Sequence, residues 1–374
     1  MMNRVRPRLI KLLLLSSVLA LGIPQVVEWS EVYAAVNPSV EVTTGQLEEK
    51  LLAAMMDRKD SLNFTYKGQV KNLKKDLQTA IDEAMQSDPY VNYTLKSYAY
   101  NYKGSSNSAQ VTVTLKYRET KEQTAFVDQT VRAALKELIK PEMTDHEKVK
   151  VIHDWVVVRL AYDETLQKYT AYDGLATGTT VCQGYALLTY KMLNETGITN
   201  RIVEGRAGGQ LHAWNLVLLD GKWYHLDTTW DDPTPDRPNE VSTAYYLLTD
   251  AQIRKDHSWT KKYPAASTVY EQTLTQLITA GGAKAKVYQE MYNELEYAMY
   301  QEGNLVSSAP QMVEKARKAM SAGTKTLVFA YKGTEKNLEK DLQVLYQLGM
   351  KSISYRVTNQ HDSNHLRVSL SWTI

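Results

Sequence analysis

The sequence predicts an α+β protein, with a central domain built on an antiparallel sheet and a cysteine-bearing helix, flanked by two copies of a small α+β module. Three observations carry this expectation. Residues 46–78 laid over 311–343 without gaps give 17 identities in 33 positions, so one module is present twice. Between the copies the pattern changes to longer apolar-periodic helices and then to alternating strands around Asp220-Gly221. The chain has 374 residues, more than double the ~100–150 at which single domains peak, and one core cannot serve it.

Residues 1–35 read as a secretory signal peptide: Arg4, Arg6, Arg8 and Lys11, an apolar run over 12–23, then the small-residue stretch Val32-Tyr33-Ala34-Ala35. The run falls short of the ~20 residues that span a bilayer. Export is therefore expected, with the protein released or loosely held at the cell surface and no membrane span after cleavage. Removal would leave 40 basic and 40 acidic residues, a balance that argues against nucleic acid as a partner.

Residues 36–120 form the first module. A helical stretch leads to the strand Phe64-Thr65-Tyr66-Lys67, a turn at Gly68, a helix carrying Leu73 and Leu77, and strands over 93–102 and 111–117. Residues 309–374 repeat the plan with Phe329, Tyr331, Gly333, Leu338 and Leu342, then strands over 352–357 and 366–372. The matched Tyr66 and Tyr331 are expected to pack while lysines solvate a helix face. The competing reading makes them exposed contacts of a wall- or partner-binding module. In the connector, 263–308, tyrosines at helical spacing over 287–300 predict a packing helix.

The central domain, 121–262, reads as helices at about 125–139 and 146–160, a Gly/Thr-rich irregular approach over 172–181, and a helix from Cys182 to the stop at Gly197. Strands over 211–219 and 222–230 follow, joined by Asp220-Gly221. Cys182 is the single cysteine, which excludes an intramolecular disulfide framework and Cys-based zinc or iron–sulfur sites. In the first turn of a helix its thiolate is favoured by the dipole and by unpaired amides; a buried structural cysteine is the alternative. A two-residue hairpin loop sets Leu219 opposite Lys222, Trp214 opposite Asp227 and His212 opposite Thr229. His212 is then diagonal to Asp227 on one face, at ~7–8 Å between Cα atoms, within reach of an imidazole–carboxylate bond. A thiol, a base and an orienting carboxylate are thus available. His225 is the rival base, opposite Leu216 and without a carboxylate diagonal to it. His153 reads as a packed or surface histidine, and Asp231 and Asp232 as turn residues before Pro233, so no metal site is expected.

Cys182-Gln183-Gly184-Tyr185-Ala186, Gly197-Ile198, His212-Ala213-Trp214-Asn215 and Trp223-Tyr224-His225-Leu226-Asp227-Thr228-Thr229-Trp230-Asp231 resemble the signature blocks of the bacterial transglutaminase-like superfamily. The likeness extends over roughly 125–260, from Ile152-His153-Asp154-Trp155 to His257-Ser258-Trp259, and leaves the flanking modules outside. The resemblance implies a papain-like core in which Cys182 is the nucleophile, His212 the base and then acid, and Asp227 the group that orients His212. It implies thioester chemistry without a cofactor on a protein or peptide carboxamide, cell-wall proteins included, the acyl group passing to an amine or to water. The backbone amide of Cys182 is the first oxyanion donor, with Trp155 and Tyr162 as side-chain candidates and Trp214 as a wall of the cleft. A cysteine peptidase or amidase on the same fold is the close alternative. A catalytically inactive extracellular binding or scaffold protein is the third reading, against which the intact Cys182, His212 and Asp227 argue.

Overall fold

Three helices of the central domain start where the chain supplies its own cap. Thr120 with Gln123, Thr144 with Glu147 and Thr170 with Asp173 form capping boxes that open the helices Lys121–Leu138, Asp145–Arg159 and Ala171–Thr177. The computed structural model of the chain describes residues 2–4, 25–26, 40–235, 237, 240–359 and 365–374. The signal peptide expected at 1–35 therefore lies outside the described residues, apart from Met2–Arg4 and Gln25–Val26. Among the described residues no helix is long and apolar enough to cross a membrane.

The chain divides into two compact units, one running to Ser267 and the other holding Thr268–Ile374. In the first unit, residues 40–118 form a sheet in which Ser61–Lys67, Ser108–Tyr117 and Leu95–Ser105 are antiparallel neighbours, with Glu41–Thr43 parallel at one edge. Helices Leu47–Met56 and Leu73–Ser87 bury Leu51, Met55, Leu73, Leu77 and Ile81 against it. The strand expected from 93 begins at Leu95, because Asp88 caps a short helix, Pro89–Thr94, through the amides of Tyr90 and Val91.

In the second unit, Thr326–Tyr331, Leu366–Thr373 and Ser352–Asn359 form an antiparallel sheet in that spatial order. Helices Ala309–Ser321 and Glu335–Leu342 pack on it through Met312, Ala316, Leu338 and Leu342. The two aligned segments share one internal arrangement. Tyr66 and Tyr331 are both buried, and their hydroxyls donate to Asp76 at 2.9 Å and Asp341 at 2.8 Å. A Cβ on Gly68 or Gly333 would fall 2.4 Å and 2.8 Å from those same rings or hydroxyls, so the matched glycines make room for the matched tyrosines. The reading of Tyr66 and Tyr331 as exposed contacts is thereby overturned: the repeated motif is core packing. The single helix expected over 287–300 is two pieces, Ala285–Glu294 and Tyr297–Tyr300, broken where Glu296 turns left-handed at φ 64°.

The central sheet has the order Lys222–Leu226, Gln210–Leu219, Asn200–Ala207, His257–Ser258, all neighbours antiparallel. Helix Cys182–Glu195 lies against it, tied by the buried Asn215 side chain, which donates to the Ala186 carbonyl at 3.1 Å. The Gly/Thr-rich segment expected to be irregular contains the helix Ala171–Thr177, ended by Gly178 at φ 78°.

Candidate active site

Val181 precedes helix Cys182–Glu195 without a side-chain cap, and its carbonyl takes the Gly184 amide at 2.9 Å, so Cys182 is the first helical residue. The turn before it is held by Thr180, whose hydroxyl donates to the carbonyls of Lys168 and Thr170 at 3.0 and 3.3 Å. Gly184 is required by this packing: a Cβ there would sit 2.0 Å from the Thr180 hydroxyl and 2.8 Å from the Thr170 carbonyl. The cysteine is 2 % exposed.

The hairpin follows the register expected from its two-residue turn as far as the ladder runs. Asp220 and Gly221 both take positive φ, Leu219 pairs with Lys222, and Leu216 pairs with His225. The second strand stops at Leu226 instead of continuing to Trp230, because Asp227 turns its Oδ1 onto the amides of Thr229 and Trp230 at 3.0 and 3.1 Å. That turn leaves Oδ2 for His212, whose Nε2 lies 2.6 Å away. Cys182 lies beside His212 and, with Asp227, favours the charged ring. Burial works against charge on His212, but the Asp227 carboxylate and Cys182 outweigh it and push the imidazole up to about 10. Burial likewise opposes ionisation of Asp227, and His212 and His257 overcome it, holding the carboxyl well below the usual range.

His257, on the edge strand, was not singled out by the sequence reading. Its Nε2 meets the same Asp227 Oδ2 at 3.0 Å, and its Nδ1 meets Asp256 Oδ1 at 2.6 Å; Tyr245 donates to the other Asp256 oxygen at 2.6 Å. Gly205 permits this strand to approach, since a Cβ there would lie 2.1 Å from the Ser258 carbonyl. A second wall also escaped the sequence reading. Tyr93, at the end of the short helix Pro89–Thr94, accepts a bond from Gln183 Nε2 on its carbonyl and donates its hydroxyl to Glu204 at 2.8 Å.

The remaining expected residues divide. Tyr162 is brought near the cysteine: burial raises its hydroxyl, and the proximity of Cys182 adds to the shift. Trp155 is half-buried on helix Asp145–Arg159, and among the described contacts no hydrogen bond or ring contact joins it to Cys182 or His212. Trp214 is core and not an exposed cleft wall. It stacks on His212 at 5.7 Å between ring centroids, and its indole N–H is already spent on His225 Nδ1 at 2.9 Å. His225 does gain a carboxylate, Asp250 at 2.8 Å, from outside the hairpin. Burial, only partly offset by Asp250, lowers it to about 4. His153 is fully buried between Asp154 and Asp231, and Asp232 accepts the Tyr185 hydroxyl at 2.5 Å; these acids are structural partners. Among the described residues the one trio that could hold a metal ion is His212, Asp227 and His257, with ligand atoms within 4.8 Å of one another. Its geometry is that of two imidazoles hydrogen-bonded to one carboxylate oxygen.

Comparison with known proteins agrees with this architecture at the level of the core. Residues 132–228, which include Cys182, His212 and Asp227, match the transglutaminase-like superfamily, and the chain carries that superfamily's core. The match is narrower than the 125–260 read from the motifs and leaves His257 outside. Kyphoscoliosis peptidase from Mus musculus is 30% identical over 155 residues, 34% of this chain and 23% of its own length; the Homo sapiens protein of the same name is 29% identical over 155 residues with the same shares. The chain thus aligns with under a quarter of the length of these curated relatives. Among solved structures, a TGase is 16% identical with a TM-score of 0.27, covering 45% of this chain and 51% of its own. A putative cysteine protease from Cytophaga hutchinsonii is 17% identical with a TM-score of 0.25, covering 46% and 76%.

Proposed function

We propose that this chain is a thiol acyl-transfer enzyme acting on a carboxamide of a protein or peptide, with Cys182 as nucleophile, His212 as base and then acid, and Asp227 as the group that holds His212. The observation that carries the reading is the buried 2.6 Å bond from His212 Nε2 to Asp227 Oδ2, which commits one ring nitrogen and keeps the other for the thiol. His212 takes the Cys182 proton as sulfur attacks the carbonyl carbon. It returns that proton to the departing nitrogen as the C–N bond breaks, leaving a thioester and free ammonia or amine. An incoming amine or water then attacks the thioester, gives a proton to His212, and releases the thiol. The oxyanion of each tetrahedral intermediate is met by the backbone amide of Cys182, with the Tyr162 hydroxyl as the side-chain donor.

A primary amine is the preferred acceptor. Cys182 and His212 are 2 % and 4 % exposed, and a site closed to water favours transfer over hydrolysis. The signal-like residues 1–35 support extracellular proteins as substrates. Hydrolysis is the second reading, supported by the peptidase name of the curated relatives that align with the core. The test is incorporation of a fluorescent primary amine into a glutamine-rich acceptor by the purified protein with reductant present, beside Cys182→Ala and His212→Ala. Incorporation abolished by both substitutions supports transfer. Cys182-dependent cleavage or deamidation without incorporation replaces it with the hydrolase, and neither activity together with an ordinary alkylation rate at Cys182 overturns the enzyme reading.

A further inference from the structure

The triad above leaves one buried ionisable group at its centre unused. His257 presents Nε2 to Asp227 Oδ2 at 3.0 Å and Nδ1 to Asp256 Oδ1 at 2.6 Å. Ionised carboxylates only accept hydrogen bonds, so both ring nitrogens of His257 donate, and a ring that donates twice is an imidazolium. Asp256 is kept ionised by its own partners: it receives the Tyr245 hydroxyl at 2.6 Å on the oxygen that His257 does not use. The groups that face the ring are Asp227 from the end of the hairpin, His212 from its long strand at 5.5 Å between centroids, Asp256 beside it in the chain, and Tyr245. Trp230 and Trp214 close over it at 4.7 and 5.1 Å. The Asp227 carboxylate is thereby saturated, with two amides on Oδ1 and two imidazoles on Oδ2.

Resting on the reading of Cys182, His212 and Asp227 as the acyl-transfer machinery, we propose that His257 is a positioning residue that clamps Asp227 and, as an imidazolium held between two carboxylates, restrains how tightly Asp227 holds the proton of His212. The need for restraint is chemical. A base must give its proton back to the leaving nitrogen, and proton transfer is most efficient when the affinity lies near the working pH. A lone buried carboxylate at 2.6 Å would lock the proton on His212. A second cation on the same oxygen divides that attraction and repels a charge on His212 by simple Coulomb reciprocity; the converse effect, of His212 on His257, opposes the rise of His257. The clamp also acts on geometry, because an oxygen bonded from two sides cannot rotate away from His212.

The test is the titration of His212 in the full-length protein, read from ring carbon–proton resonances of histidine-labelled protein and assigned with His212→Ala. His257→Gln keeps a donor toward Asp227 without the charge, and the midpoint of His212 is expected to move upward by about one pH unit. Asp256→Asn, at an exposed position, removes the charge that favours protonated His257 and is expected to move His212 in the same direction by less. Iodoacetamide alkylation of Cys182 is run beside both. Wild-type alkylation no faster than a model thiol would defeat the enzyme reading whatever His212 does. Rapid wild-type alkylation with an unmoved or lowered His212 midpoint in both variants would overturn the proposal, leaving His257 as a packing histidine.

Discussion

His212 and His225 sit on the two strands of one hairpin, both buried, both bonded to an aspartate, with Trp214 against each. The structure nevertheless pushes one up to about 10 and the other down to about 4. The difference lies first in the surroundings: the fully buried Asp227 and Cys182 outweigh burial at His212, whereas His225 has only the partly exposed Asp250, with His257 and Arg254 repelling its charge. Trp214 donates its indole N–H to His225 Nδ1, and a nitrogen that accepts cannot also carry a proton, so His225 is locked as one neutral tautomer. His212 has Cys182 beside it, a partner that can give or take a proton. Two buried histidines, each bonded to an aspartate, thus differ in whether a proton can move. A histidine–aspartate pair is therefore weak evidence of catalysis until the other nitrogen is examined.

The largest effect expected from this contrast comes from glutamine. In His212→Gln the side chain cannot change protonation, and turnover should fall on the order of 10⁴-fold, as should Cys182→Ala; a loss below ten-fold in the amine-incorporation assay would erase the distinction between the two rings. Asp227→Asn comes next. An amide that donates toward His212 selects the wrong tautomer, and a loss of about 10³-fold or more is expected with the fold retained by circular dichroism.

Trp214→Phe separates the two halves of the comparison. It keeps a ring on His212 but removes the N–H that locks His225, at a stability cost of about 1–3 kcal/mol by denaturant titration and with turnover held within a few-fold. A collapse in turnover without loss of stability would show that Trp214 serves His212 directly.

The same contrast predicts a two-sided pH profile for Tm. His212 holds a folded-state proton above its ordinary 6.5, so its contribution is full below pH 6.5 and is lost as pH rises toward about 10. His257 and His153 are also raised and act on the same side. His225 is depressed, so below pH 6.5 the unfolded chain takes up a proton that the folded chain refuses, and stability is lost as pH falls toward about 4. Calorimetry across this range should show Tm highest near pH 6.5. The smallest effect is His225→Gln: glutamine can accept from Trp214 and donate to Asp250 as the neutral tautomer does, so neutral-pH stability should change by about 1 kcal/mol or less while the acid arm flattens. An unchanged acid arm would mean that another group produces it.

What neighbouring residues decide was legible along the chain. Asp220-Gly221 supplied the left-handed pair of a tight hairpin, and the two-residue loop dictated the register from Leu219–Lys222 to Asn215–Leu226. The Gly/Thr approach and the apolar spacing after it put Cys182 at a helix start. His212 and Asp227 were legible together because fifteen residues and one turn separate them. The identities between 46–78 and 311–343 could also be read, though not that Tyr66 and Tyr331 face inward onto Asp76 and Asp341, since a lone tyrosine suits core and surface alike.

Which polar atoms complete these groups is settled by packing between distant segments. His257 reaches Asp227 across thirty residues, Asp250 reaches His225 across twenty-five, and Tyr93 reaches Glu204 across 111. No periodicity or turn chemistry spans such distances. Nor could the sequence show that Asp227 would end its strand early by turning an oxygen back onto its own chain. The physical reason is that local backbone preference depends on a few adjacent residues, whereas the proton affinity of a buried imidazole depends on every charge and donor that packing brings within a few ångströms of its two nitrogens.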